Sequence, residues 1–208
     1  MNIGIIGSGH IGGTLTRRFQ SLGHHVTVAN SRGPQTLTAL AAETGAKAGT
    51  IEEAAGDAQV VVIAVPVKAV PDLPAAAFRD KIVVDANNYY ATRDGDIPQI
   101  VDRAVSSSRW TAEALPGAKV VKAFNTMTAG HLLGLGRPSG DPTRIGLPVA
   151  GDDADAKRTV MDLVNELGFD PVDAGTLDES WRQQPDTPVH GADLGAAKIR
   201  EGLAAAKP

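Results

Sequence analysis

Cysteine is absent from the 208 residues, so disulfides, thiolate metal sites and thiol nucleophiles are excluded. Basic residues are in the minority and the net charge is −4. A nucleic-acid surface needs a basic stripe that releases phosphate counterions, so no nucleic-acid partner is expected. Any anionic ligand must instead be held by local donors. No apolar run is long enough to span a membrane. The opening MNIGIIG lacks the basic region and long apolar segment of a signal peptide. A cytoplasmic protein without a membrane partner is therefore expected. No internal repeat and no low-complexity linker interrupts the chain. His never recurs with Asp or Glu at metal-ligand spacing, so no metal is expected.

What is present is an ordinary globular composition, 42% hydrophobic and 21% charged, rich enough to bury a substantial core. Apolar runs alternate with helical stretches. Strands are expected at 1–6, 24–29, 59–65 (QVVVIAV), 81–85 (KIVVD) and 119–124 (KVVKAF), with short ones at 147–150 and 169–172. Helices are expected at 11–22, where Ile11, Leu15, Phe19 and Leu22 share a face, at 34–44 and at 153–167, with a partly helical 67–78. The stretch 87–115 reads as a long polar loop, of the kind that is functional or mobile. Alternating apolar strands and helices imply an α/β fold: a Rossmann-type, doubly wound, mostly parallel sheet. One NADP-binding domain over 1–208 is expected, with 176–208 as a C-terminal extension.

Gly7-Ser8-Gly9-His10-Ile11-Gly12 matches G-x-G-x-x-G. It follows a strand and opens an amphipathic helix, which makes it a dinucleotide cradle rather than a chance pattern. Gly7 permits a tight turn, Gly9 lets backbone approach a pyrophosphate, and Gly12 lets helix and strand pack closely. The helix N-terminus offers unpaired N–H groups to the anion. The second strand ends in Asn30-Ser31-Arg32. An NAD site carries a carboxylate there, which would repel a 2′-phosphate. Amide, hydroxyl and guanidinium instead suit that phosphate, so NADP(H) is expected.

Ligands of such sheets bind outside the carboxyl ends of the strands. The later strands deliver Val65 and Pro66, Asn87 and Asn88, and Asn125 and Thr126 to that edge. These amides and hydroxyls suit a carboxamide and ribose. No serine with a nearby His base and no carboxylate pair stands out there, so no catalytic residue is assigned.

The stretches GIIGSGHIG, NSRGP, AVP, VVDANNYY, VVKAFNT, PVAGDD and VDAGTLDESW together resemble the family of NADPH-dependent coenzyme F420 reductases, the F420H2:NADP oxidoreductases. They are also similar to the oxidoreductase domain of the six-transmembrane metalloreductases. The resemblance covers about residues 1 to 180. Asn125-Thr126 and the tail QQPDTPVHGADLG depart from the F420-using pattern. The resemblance implies direct hydride transfer between NADP(H) and a deazaflavin or flavin-like acceptor such as F420. It places Ser8 to Ile11 on the pyrophosphate, Ser31 and Arg32 on the 2′-phosphate, Val65 and Pro66 along the cofactor, and Asn87 and Asn125 toward the nicotinamide.

Two other readings stay open. One is an NADPH-dependent reductase of a small imine or carbonyl substrate; the chain after Gly175 is short for the helical domain that many such enzymes carry. The other is a non-catalytic NADP-binding sensor. A short tail leaves the crevice open, so a homodimer is expected to cover it.

Overall fold

The computed structural model describes residues 1–207. In chain order the elements are β1 (Asn2–Ile6), α1 (His10–Ser21), β2 (His25–Ala29), a 3₁₀ turn (Pro34–Leu37) running into α2 (Thr38–Thr44), β3 (Lys47–Ala48), α3 (Ile51–Gly56) and β4 (Val60–Ile63). Two 3₁₀ turns (Val67–Asp72 and Ala75–Phe78) lead to β5 (Ile82–Asp85). Then come α4 (Ala91–Asp94), α5 (Pro98–Val101), α6 (Ser107–Ala114), β6 (Lys119–Lys122) and α7 (Ala129–Gly134). The chain continues through β7 (Gly146–Gly151), α8 (Ala154–Glu166), β8 (Asp170–Asp173), a 3₁₀ turn (Asp178–Gln183) and α9 (Ala196–Ala205).

The strands form one sheet in the order β3-β2-β1-β4-β5-β6-β7-β8. Every pairing is parallel except β6 with β7. The chain therefore has the Rossmann-type α/β fold. Successive strand residues point to opposite faces, so each central strand feeds two cores. Ile3, Ile5, Val60, Val62 and Val84 pack with Phe19 and Phe124 on one face. Ile6, Val61, Ile63 and Val83 pack with Phe78 and Leu115 on the other. Burial on both faces is why these strands read as continuous apolar runs.

Three expectations are corrected, and one element is added. β4 ends at Ile63, not Val65. The Val65 N–H is captured by the side chain of Asn87 (2.8 Å), and Pro66 has no N–H to continue a ladder. β6 likewise stops at Lys122, and Phe124 takes a positive φ of 62°. The region 87–115 is not one long loop: it contains α4, α5 and α6, the last capped by Ser106 accepting from the Arg109 N–H. Finally, α3 went unread although its signal was present: Thr50 and Glu53 form a reciprocal capping box.

The extension lies against the sheet. α9 buries Ile199 and Leu203 against Val172 and Val189. Arg109 of α6 bridges Asp178 (2.6 Å) and Asp152 (2.8 Å).

Candidate functional site

Because β1, β2, β4, β5 and β6 run parallel, the segments that follow them gather on one edge. The β1–α1 turn is the most crowded by backbone at its glycines, Gly7 and Gly12. Gly7 has φ +105°, and a Cβ there would lie 2.2 Å from the carbonyl oxygen of Ala64. A Cβ on Gly12 would lie 1.9 Å from the carbonyl oxygen of Gly7. Both glycines are thus required by the protein's own packing. Gly9 is different: a Cβ there would meet nothing within 4 Å, and its φ of −72° is open to any residue. No contact among the described residues demands a glycine at that position. The residue faces open space at the N-terminus of α1, a helix with no side-chain cap and no acidic residue in its first turn. Unpaired N–H groups and a bare approach are what a pyrophosphate requires, so the turn fits the phosphates of a dinucleotide.

An open cleft of about 550 Å³ adjoins this turn, lined by Ser8, Gly9, His10, Arg17, Arg32 and Thr36 among others. Asn30 organises its wall. The Asn30 Nδ2 donates to Ser8 Oγ (3.1 Å) and Thr36 Oγ1 (3.0 Å), while Oδ1 accepts from the Arg32 N–H (2.9 Å). Asn30 therefore ties the ends of β1 and β2 together. Ser31 and Arg32 are exposed. The two arginines of the cleft differ in state. Arg17 is held by Glu43 through two bonds (2.6 and 2.7 Å). Arg32 pairs with no carboxylate among the described residues.

Further along the edge, Val65 is half-buried and Pro66 exposed at the end of β4. Asn87 and Asn125 follow β5 and β6, and both are buried. Neither lines the phosphate cleft. The two amides are engaged differently. The Asn125 Nδ2 donates to Asn88 Oδ1 (3.0 Å) and to the carbonyl of Gln183 (2.7 Å), and its Oδ1 accepts from Gln183 Nε2 (2.9 Å). Its polar atoms are occupied by Asn88 and by Gln183 of the extension. Asn87 uses its Oδ1 on the Val65 N–H but leaves its buried Nδ2 without a partner among the described residues.

The carboxylates near this edge are also committed. Burial works to raise the Asp94 pKa, but bonds from Arg93 and from the N–H groups of Tyr90 and Lys68 outweigh it and hold the carboxyl low. Asp85 pairs with the fully buried Lys122 at 3.4 Å. Burial pushes the Lys122 ammonium below its ordinary range against the opposing pull of Asp85. His190 of the extension is likewise lowered, by burial and then by Lys122. A second cleft, about 430 Å³, lies between the N-terminus of α6 and the extension, lined by Ile100, Arg103, Val105, Trp181 and Gln184 among others. No cluster of His, Asp and Glu among the described residues could hold a metal ion.

Sequence reasoning missed Arg17, Thr36, Lys122 and Gln183. Arg17 lies two helical turns beyond His10, a spacing that was readable. Lys122 was visible as a cation interrupting the apolar run of KVVKAF. Nothing local marks Gln183, whose role depends on a partner 58 residues away.

The profile of the family described as NADP oxidoreductase, coenzyme F420-dependent, matches residues 2–89. The hypothetical protein SMa0349 from Sinorhizobium meliloti has a solved structure that superposes with a TM-score of 0.79 at 36% identity. The match covers 91% of this chain and 92% of that one. A candidate F420-dependent NADP-reductase from Arthrobacter sp. FB24 superposes with a TM-score of 0.73 at 29% identity, over 88% of this chain and 87% of its own. The metalloreductase STEAP3 of Rattus norvegicus is 31% identical over 177 residues, which are 84% of this chain and 34% of the rat protein. The chain spans about half or less of the curated relatives it matches. Residues 2–89 thus match the coenzyme F420-dependent NADP oxidoreductase family, and the cradle and sheet order agree with that match.

Proposed function

We propose that the chain transfers hydride between NADP(H) and a planar deazaflavin or flavin-like acceptor such as coenzyme F420. One observation carries the nucleotide part of this reading. Gly9 is a glycine that no contact among the described residues requires, and it faces open space at a helix N-terminus without a side-chain cap. Arg32, exposed and clear of any described carboxylate, favours a 2′-phosphate over a bare ribose. Ser8 to Gly12 would hold the pyrophosphate; Asn30, Ser31 and Arg32 the phosphorylated ribose; Val65 and Pro66 the path along the edge.

The reduced nicotinamide supplies the hydride when bound. The chain's own work is to bind, orient and exclude water. Asp85 and Asp94, the buried carboxylates here, are each tied to a cation, which agrees with a transfer that rests on placing two rings rather than on a strong base. Trp181 in the second cleft offers a flat wall for such an acceptor. We also propose that residues 1–208 act as one nucleotide-binding unit with 176–208 as its extension.

The test is an anaerobic spectrum with NADPH and oxidised F420. Bleaching of the deazaflavin with matching loss of NADPH is expected. No change in either chromophore, while NADPH still raises the melting temperature, would reject F420 and favour a small organic acceptor or a sensor.

A further inference from the structure

Lys122 stands where a parallel sheet is least hospitable to a cation. It ends β6 with its side chain fully buried, in register with Asp85 of β5. Taking such a pair out of water costs more than the pair's attraction returns unless further hydrogen bonds complete it. An apolar side chain would fill the space as Val120 and Val121 do beside it. The lysine's use therefore lies in what it holds. Its Nζ donates to Asp85 Oδ2 (3.4 Å) and to the carbonyl of Asn87. The other Asp85 oxygen accepts from the Asn87 N–H at 3.0 Å. The ion pair thus grips the backbone of Asn87 at both its N–H and its C=O.

The side chain of Asn87 is then oriented without ambiguity. Only its oxygen can accept from the Val65 N–H, so its nitrogen is the free end. That nitrogen is buried and has no partner among the described residues. A buried donor without an acceptor calls for an explanation. It lies between the ends of β4 and β5, in the middle of the site edge.

We infer that Lys122 is a positioning residue which, through Asp85 and the Asn87 backbone, fixes the Asn87 amide as a donor to a carbonyl oxygen on the nicotinamide half of the dinucleotide. This rests on the nucleotide reading above. The experiment separates the two halves of the ligand. NADPH and 2′,5′-ADP, which keeps the phosphorylated adenosine and lacks the nicotinamide, are titrated into wild type, Lys122→Met and Asn87→Asp. The aspartate keeps the acceptor for Val65 and replaces the donor. Both variants are expected to lose about tenfold in NADPH affinity, the equivalent of one hydrogen bond, while 2′,5′-ADP stays within about twofold. The double variant should bind no more weakly than Lys122→Met, because the two residues act in series. If Lys122→Met fails to fold because it leaves Asp85 buried and unpaired, Lys122→Met with Asp85→Leu, which removes both charges and the grip on Asn87, replaces it under the same expectation. Unchanged NADPH binding, or equal losses for both ligands, would overturn the role of Lys122 and leave the nucleotide reading standing. Failure of the wild type to bind 2′,5′-ADP would overturn the nucleotide reading itself.

Discussion

At the scale of single residues, the three glycines of the cradle separate by what crowds them. Gly9→Ala should leave the melting temperature within about 1 °C, because its Cβ enters open space. The same change should sharply weaken NADPH binding, because that space is the approach of the phosphates. Gly12→Ala should instead destabilise the fold, since its Cβ would collide with the Gly7 carbonyl. Thermal melts with and without NADPH check both; equal melting of the two variants would defeat the distinction. Arg32→Ala should cost about 1.5 to 3 kcal/mol of NADPH affinity, the range for a charged hydrogen bond, and leave NADH binding nearly unchanged. Equal losses for the two nucleotides would remove the 2′-phosphate role.

At the scale of elements, α4 is a single turn held by its acid. Asp94 accepts from the Tyr90 N–H (3.0 Å) and pairs with Arg93 (2.9 Å), and its side chain is fully buried. Its folded pKa lies below the unfolded value, so its contribution is complete above about pH 4 and fades as pH falls through the folded pKa. Asp94→Asn should therefore be less stable than wild type at pH 7 by about 1 to 3 kcal/mol. The gap should narrow near pH 3. Urea unfolding at the two pH values measures it, and a constant gap would mean that the charge is not the cause. The identity of the long strands and of α1 and α8 was legible because periodicity and end signals agree there. The three short helices of 87–115 were not, since four to eight residues carry too little periodicity against a polar background.

At the scale of the whole molecule, the open edge exposes apolar surface beside the cleft. Leu133 of α7 lines the phosphate cleft and is 46% exposed. We propose that a second copy of the chain covers this edge. Light scattering should report a dimer at micromolar concentration, and a monomer would reject the arrangement. No helix among the described residues is long and apolar enough to cross a membrane. The extension is anchored at several separate points, through Ser106 to the Leu177 carbonyl, Asn125 to Gln183, and α9 on the sheet. It is bound to the site's own strand ends, and that arrangement decides which amides remain available.

The sequence by itself determined the sheet and the cradle, and it carries the proposed preference for a 2′-phosphate. Each rests on residues close in the chain: an apolar run, a glycine spacing, a strand end without a carboxylate. Asn87 and Asn125 looked alike at that level, both being amides just past a strand. Only the tertiary structure decided between them. Asn125 is saturated by Gln183 from the extension, whereas Asn87 is gripped by Lys122 and Asp85 and keeps a buried nitrogen unpaired. An amide side chain has a fixed number of donors and acceptors, and which of them are spent depends on groups distant in sequence that the fold brings within about 3 Å.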